Sequence, residues 1–210
     1  MAPPGTWPSP LSSGPDGEAV RAEKVVEGLV TTNPVGVRLA DSRDAQCLSA
    51  LATQVFLDTY ATSGITPALA REAEDQFAVS AFAERLRSTR GRTLLAERQG
   101  HLVGFAEVTL DEAHALVAAG AAAELARLYV QSPFLRQGVG RQLLRHAEAL
   151  ALAEGACALW LTAWIGNTRA LAFYASQGYE ERGSTEYRFG GQAFENRLFA
   201  KALGAGQPAR

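Results

Sequence analysis

Residues 134–141 read Phe-Leu-Arg-Gln-Gly-Val-Gly-Arg, and a helical repeat begins at once behind them. Two glycines with one residue between them let a backbone turn sharply and come close to a ligand. The helix start behind them presents free N–H groups and the positive end of its dipole. The pattern predicts an anion site with pyrophosphate as its natural guest, and Arg136 and Arg141 would add charge-assisted contacts. Two familiar phosphate sites are excluded. A Walker loop needs Gly-Lys-Ser/Thr, whereas Gly140 is followed by Arg141-Gln142; a dinucleotide fingerprint needs glycine at position 143, which is Leu143. A plain glycine-rich link between strand and helix is the competing reading.

A second candidate lies at residues 167–179, Asn-Thr-Arg-Ala-Leu-Ala-Phe-Tyr-Ala-Ser-Gln-Gly-Tyr. Asn167 is a helix N-cap, and Ala170, Phe173, Tyr174 and Gln177 fall on adjoining rows of the helix. A phenol of pKa about 10 such as that of Tyr174 can donate a proton. Taken alone, it reads better as a core aromatic.

The elements that must hold these residues alternate from Val35 onward. Residues 35–39 form a first strand, and Asp41 caps a helix through about Tyr60. A Gly-Ile-Thr-Pro turn at 64–67 leads into a polar helix, followed by an amphipathic one carrying Phe82 and Leu86. Residues 93–96 and 102–108 make a hairpin turning at Gln99-Gly100. The alanine-rich stretch 113–123 carries little information, and residues 124–130 form a strand ending before Pro133. Apolar residues at 139, 143, 144, 147, 150 and 151 line one face of a helix that Gly155 ends. Residues 158–164 form a strand, the helix capped by Asn167 stops at Gly178, and strands at 179–189 and 194–202 close across Gly190-Gly191. This order is mixed α/β, with antiparallel and parallel pairing in one sheet.

Composition bounds the function. The 210 residues carry a formal net charge of -2, with 47% hydrophobic and 20% charged residues, as in a globular protein without a nucleic-acid footprint. Only Lys24 and Lys201 are lysine among 20 basic residues, a bias that base composition of the genome accounts for. Six of nine prolines fall in residues 1–34, which predicts a flexible tail with a short helix at 18–29. The expected division is therefore a tail at 1–34, one domain at 35–203 and a short tail at 204–210. No signal peptide and no membrane span is expected, so the location expected is cytoplasmic. Cys47 and Cys157 sit among apolar neighbours and are expected to be buried free thiols; His101, His114 and His146 lack metal spacing and are expected at the surface or in loops.

Leu128-Tyr129-Val130, Arg136-Gln137-Gly138-Val139-Gly140 and Asn167 through Phe173-Tyr174 to Gly178-Tyr179 occur in the order and spacing of the GNAT superfamily of acetyl-CoA-dependent N-acetyltransferases. The resemblance spans residues 35–203. It departs from the pattern at Leu135, where the family usually has Gln or Arg, a contact that Arg136 can supply. Thr59-Tyr60, Thr66-Pro67, Asp111-Glu112-Ala113 and residues 189–192 resemble the bacterial polyamine acetyltransferases of the PaiA type.

The resemblance implies a GNAT-like mixed sheet of six to seven strands flanked by about four helices. It implies acetyl-CoA as co-substrate, no metal, and an amine acceptor, with a small amine or polyamine favoured and a protein N-terminus also open. Leu128, Tyr129, Val130, Arg136, Gln137, Gly138, Val139, Gly140, Arg141, Asn167, Phe173 and Tyr174 are the implied cofactor contacts. Tyr174 is the implied acid for the departing thiolate. The N–H of Val130 is the implied donor to the thioester carbonyl, which requires strands 124–130 and 158–164 to splay. Glu124 is the first candidate for a base acting through water, and strand alternation would put it on one face with Ala126, Leu128 and Val130. Glu107 and Glu112 rank below it. Asp58, Glu72, Glu74 and Asp75 would line an anionic acceptor groove or else form a solvated helix face. A catalytically silent CoA-binding sensor or scaffold is the alternative function. Such families leave room for a homodimer, and no interface is legible.

Overall fold

The computed structural model describes residues 35–117 and 120–204. The expected tail at 1–34, and all but Gly204 of the one at 204–210, lie outside the described residues. Among the described residues there are seven strands, β1 (Gly36–Leu39), β2 (Gly91–Arg98), β3 (His101–Thr109), β4 (Ala122–Val130), β5 (Ala158–Trp164), β6 (Glu180–Phe189) and β7 (Gln192–Ala202). Five α-helices join them: α1 (Ala45–Tyr60), α2 (Pro67–Phe77), α3 (Val79–Arg87), α4 (Val139–Ala153) and α5 (Thr168–Ser176). The sheet order is β1-β2-β3-β4-β5-β7-β6, antiparallel throughout except for β4–β5.

Local signals set the element ends. Thr66 accepts from the Leu69 N–H, and Pro67 opens α2 where its missing N–H costs nothing. Asn167 accepts from the Ala170 N–H at 3.1 Å and so starts α5. At its other end Gly178, at φ +82°, completes a Schellman closure in which the Tyr179 N–H reaches the Tyr174 carbonyl and the Gly178 N–H the Ala175 carbonyl.

The sheet separates two cores. On one face α4 packs Val139, Leu143, Leu144, Ala147 and Ala151 against Val103, Ala106 and Leu125, and α5 adds Tyr174. On the other, α1–α3 pack Leu48, Phe56, Phe77 and Phe82 against Leu95 and Phe105. Leu143 and Phe82 are fully buried, so truncating either to Ala would cost about 2–5 kcal/mol.

Two features of β4 matter for the site. First, Glu107 pairs with Arg127 and Val108 with Leu125, so Ala126 is an extra, exposed residue, a β-bulge. The bulge resets the alternation: Leu125, Leu128 and Val130 share the α4 face, and Glu124 does not share a face with Leu128 and Val130 as simple alternation predicts. Second, β4 and β5 pair only through Ala122–Ala158, Ala123–Leu159 and Glu124–Trp160. Beyond that point β4 stays with β3 as far as Gly104–Val130, and β5 stays with β7 as far as Trp164–Asn196. The strands splay.

The cysteines correct the expectation of burial, since both are exposed. Cys47 falls between the inward positions Ala45 and Leu48 of α1, on its outer side, and Cys157 lies at the sheet end just before β5. His101 and His146 are exposed, and half-buried His114 lies in a loop against Trp160, ring centroids 4.9 Å apart.

Candidate active site

The splay opens a cleft of about 400 Å³ that passes through the sheet. Leu128, Val130, Gly138, Gly140, Phe173 and Tyr174 line it on the α4–α5 side; Val55, Thr59, Tyr60 and Tyr129 line it on the α1 side. No carboxylate is in its lining, whereas Arg136, Arg141 and Arg169 are. Among the described residues none of these three guanidiniums is in an ion pair.

The backbone direction at Val130 follows from the ladder. The Gln131 N–H donates to the Val103 carbonyl at 3.0 Å, so the preceding pair, Gly104–Val130, is a non-hydrogen-bonded one. The N–H and C=O of Val130 therefore point away from β3, into the gap left by β5. Gly104 permits the fit: a Cβ there would stand 2.7 Å from the Tyr129 carbonyl oxygen.

The loop before α4 turns through Arg136 at φ +60° and Gly138 at φ +85°, both left-handed, and no side chain caps the helix that follows. Mixed-hand turns of this kind gather N–H groups into an anion-binding concavity. The uncapped helix start adds its own donors and dipole, and the free guanidiniums stand at the same mouth. These features fit a ligand with a phosphorylated end and a chain long enough to follow β4.

Tyr174 is buried, packed on Phe173, Tyr179 and Phe199 with ring centroids 5.2, 5.9 and 6.3 Å away. Burial above all, with Tyr129 adding, pushes its phenol well above the ordinary value, so it is protonated at neutral pH. Tyr129 turns to the α1 side, against Phe77 and Phe105, and burial raises it too.

Three expected residues are not brought to the cleft. Val139 is a core residue at 1% exposure. Gln137 faces away, donating to the Pro133 carbonyl and accepting from Arg98. Glu124 is half-buried before the splay; loss of hydration, then Glu112, raises its carboxyl above the ordinary value. Six residues of a bulged strand separate it from Val130, roughly 15–20 Å. Of the lower-ranked carboxylates, Glu107 is buried between Arg85 and Arg127, and Glu112 pairs with Arg90. The cleft also takes in Val55 and Arg169, which no motif singled out, and Phe134, Leu135 and Gln177, which the motif stretches contained but were not expected to touch the cofactor. Arg169 had a signal: a cation in the first turn of a helix whose start is otherwise unfavourable to one. Among the described residues no group of three or more His, Cys, Asp or Glu side chains could hold a metal ion, and no helix is long and apolar enough to cross a membrane.

A sheet parted between its parallel strands, with a glycine loop and uncapped helix at one mouth, defines an α/β fold built to take a long ligand with a phosphorylated end. The sequence profile described as the Acetyltransferase (GNAT) family matches residues 57–179. The chain belongs to that family and is an acetyltransferase. It is 23% identical over 170 residues to an uncharacterised N-acetyltransferase of Lactobacillus delbrueckii subsp. lactis, covering 80% of this chain and 98% of that one. It is 27% identical over 147 residues to an uncharacterised N-acetyltransferase of Mycobacterium tuberculosis, covering 70% and 90%. Among solved structures, the PaiA N-acetyltransferase of Thermoplasma acidophilum in complex with coenzyme A is similar in fold, with TM-score 0.67 and 20% identity over 81% of this chain and 99% of that one.

Proposed function

We propose that this enzyme transfers the acetyl group of acetyl-CoA to a small primary amine. One observation carries the reading: the splay beyond Glu124–Trp160 opens a cleft that holds three unpaired arginines and no carboxylate at the foot of an uncapped helix. Acetyl-CoA supplies an activated acetyl group as a thioester. Gly138, Gly140 and the first turn of α4 bind its pyrophosphate, with Arg136, Arg141 and Arg169 around it. Strands β4 and β5 hold the pantetheine arm between them, taking the hydrogen bonds that they no longer give each other.

The N–H of Val130 donates to the thioester carbonyl and stabilises the negative charge that grows there as the neutral amine attacks. Tyr174 gives its proton to the departing sulfur; burial keeps the phenol protonated at neutral pH, so the proton is present when the sulfur leaves. The amine gives up one proton for each amide formed. Water in the open cleft takes it and returns it to the Tyr174 phenolate, so the protein ends each cycle as it began; Glu124 stands too far off to receive it directly. Phe173 and Ala170 close the α5 wall beside the arm.

Mixing the purified protein with acetyl-CoA and a panel of primary amines, while following thiol release and the N-acetyl product by mass, tests this reading. Acetyl-CoA-dependent product with at least one amine is expected. Tight CoA binding with no turnover of any acceptor would overturn it in favour of a silent CoA-binding protein.

A further inference from the structure

Among the described residues, the ionisable side chains lining the cleft are three phenols and three guanidiniums: Tyr60, Tyr129 and Tyr174, with Arg136, Arg141 and Arg169. None of these group types accepts a proton at neutral pH. A guanidinium keeps its charge over the whole working range. A phenol is already protonated there, and burial pushes Tyr60, Tyr129 and Tyr174 higher still. The rest of the lining is apolar or uncharged, as at Val55, Thr59, Leu128 and Phe173.

The carboxylates of the surrounding elements lie outside that lining. Asp58 of α1 accepts from the Ser132 hydroxyl at 3.2 Å, and Glu72 of α2 accepts from the Tyr187 hydroxyl of β6. Glu107 of β3 is buried between Arg85 and Arg127. Glu124 of β4 stands before the splay, and Glu74 and Asp75 are exposed on α2. An acceptor that entered as an ammonium would lose its hydration without meeting a counter-charge, which is strongly unfavourable. It would also meet no group able to take its extra proton, and without a lone pair it cannot attack. The ammonium proton must therefore be left in bulk water before the amine enters.

Only the free-base fraction of the amine is then used. A strongly basic alkylamine is almost all ammonium near neutrality. An electron-withdrawing neighbour changes this: the α-amine of a peptide titrates at about 7.7–8.0, against about 10.4 for a lysine side chain. As for thiols attacking disulfides, nucleophilicity falls more slowly with basicity than the free fraction rises, so the best nucleophile titrates near the working pH.

We infer that the acceptor is a primary amine of reduced basicity, with an electron-withdrawing group beside its nitrogen, and that the cleft takes it as the free base. This rests on the acetyl-transfer reading above. The test gives the wild-type enzyme saturating acetyl-CoA with ethylamine or difluoroethylamine, which are close in shape and differ in basicity. For each, kcat/KM on total amine, corrected for the reaction without enzyme, is measured from about pH 6 to about pH 10. At pH about 7 difluoroethylamine is expected to exceed ethylamine by about tenfold or more. Each profile should climb about tenfold per pH unit and bend at the pKa of the amine itself, so the bend moves with the amine. A bend at one pH for both amines, or a plateau that Asp58→Asn or Glu72→Gln abolishes, would reveal a base on the protein. Either result would overturn the inference and leave acetyl transfer standing, as would faster use of ethylamine at pH about 7. If neither amine is acetylated, the inference falls, and the wider panel decides acetyl transfer itself.

Discussion

Arg98 and Gln137 meet across 39 residues of chain, the guanidinium Nη1 donating to the side-chain carbonyl oxygen at 2.9 Å. Arg98 also stands 5.3 Å from the centroid of the Phe134 ring, and Gln137 donates onward to the Pro133 carbonyl at 2.7 Å. The end of β2 thus braces the glycine loop from behind. The side chain of Gln137, expected among the cofactor contacts, is held by β2 and by the loop's own backbone.

The brace makes Arg98 a positioning residue for the loop. Arg98→Met is expected to weaken CoA binding about threefold to tenfold, the worth of one hydrogen bond of about 0.5–1.5 kcal/mol. Titration calorimetry with CoA reads this, and the KM for the amine should not move. Unaltered CoA affinity would show that the loop keeps its shape unaided.

Tyr174→Phe keeps the ring packing and removes only the hydroxyl. Turnover should fall about a hundredfold, the lower range for a positioned acid, while acetyl-CoA affinity changes little. Burial raises the phenol above its ordinary value, so its loss of the proton lies on the alkaline side. The wild-type kcat should therefore show no alkaline fall due to Tyr174 at neutral or mildly basic pH. A variant with wild-type turnover would remove Tyr174 from the acid role.

Glu107 holds two guanidiniums in a site where its own side chain is only 7% exposed. Glu107→Ala leaves both cations without their shared partner, and a cost of about 3–5 kcal/mol is expected. For a chain of this size that lowers the melting temperature by on the order of 10 °C. Urea unfolding of variant and wild type measures the difference directly, and a loss below about 1 kcal/mol would contradict the accounting.

Glu124 makes an opposite prediction about pH. Its carboxyl is raised above 4.5 in the folded chain, so the unfolded chain ionises first as pH rises. Folding stability therefore declines through that interval, and the cost is fully present above the folded value. Glu124→Gln should raise the melting temperature at pH about 7 and leave it nearly unchanged at pH about 4. Parallel melts of the two proteins decide it. Because Glu124 stands outside the cleft, the same variant should keep its turnover at neutral pH, and a large loss there would put Glu124 on the proton route.

Elements with chemical punctuation were legible in the sequence. Asn167 and Gly178 bound α5, and Gly190-Gly191 turns β6 into β7, because caps and tight turns demand particular residue types. The glycine loop was legible for the same reason. The face of Glu124 was not, since the bulge at Ala126 lies in an alanine-rich run where neither propensity nor alternation speaks. Nor was the pairing of Tyr60 with Trp164. Residues on α1 and β5 are joined only by the sheet order, and nothing local in either segment records the other.

Residues of both faces of the sheet line the cleft, and this bears on the order of addition. On the proposed reading the donor enters by the glycine loop and leaves the side lined by Val55, Thr59 and Tyr60 to the acceptor. Neither molecule would then have to leave before the other arrives, and the acetyl group would pass between them without first being parked on a side chain. Initial velocities over a grid of both substrates then give intersecting lines, the signature of a ternary complex.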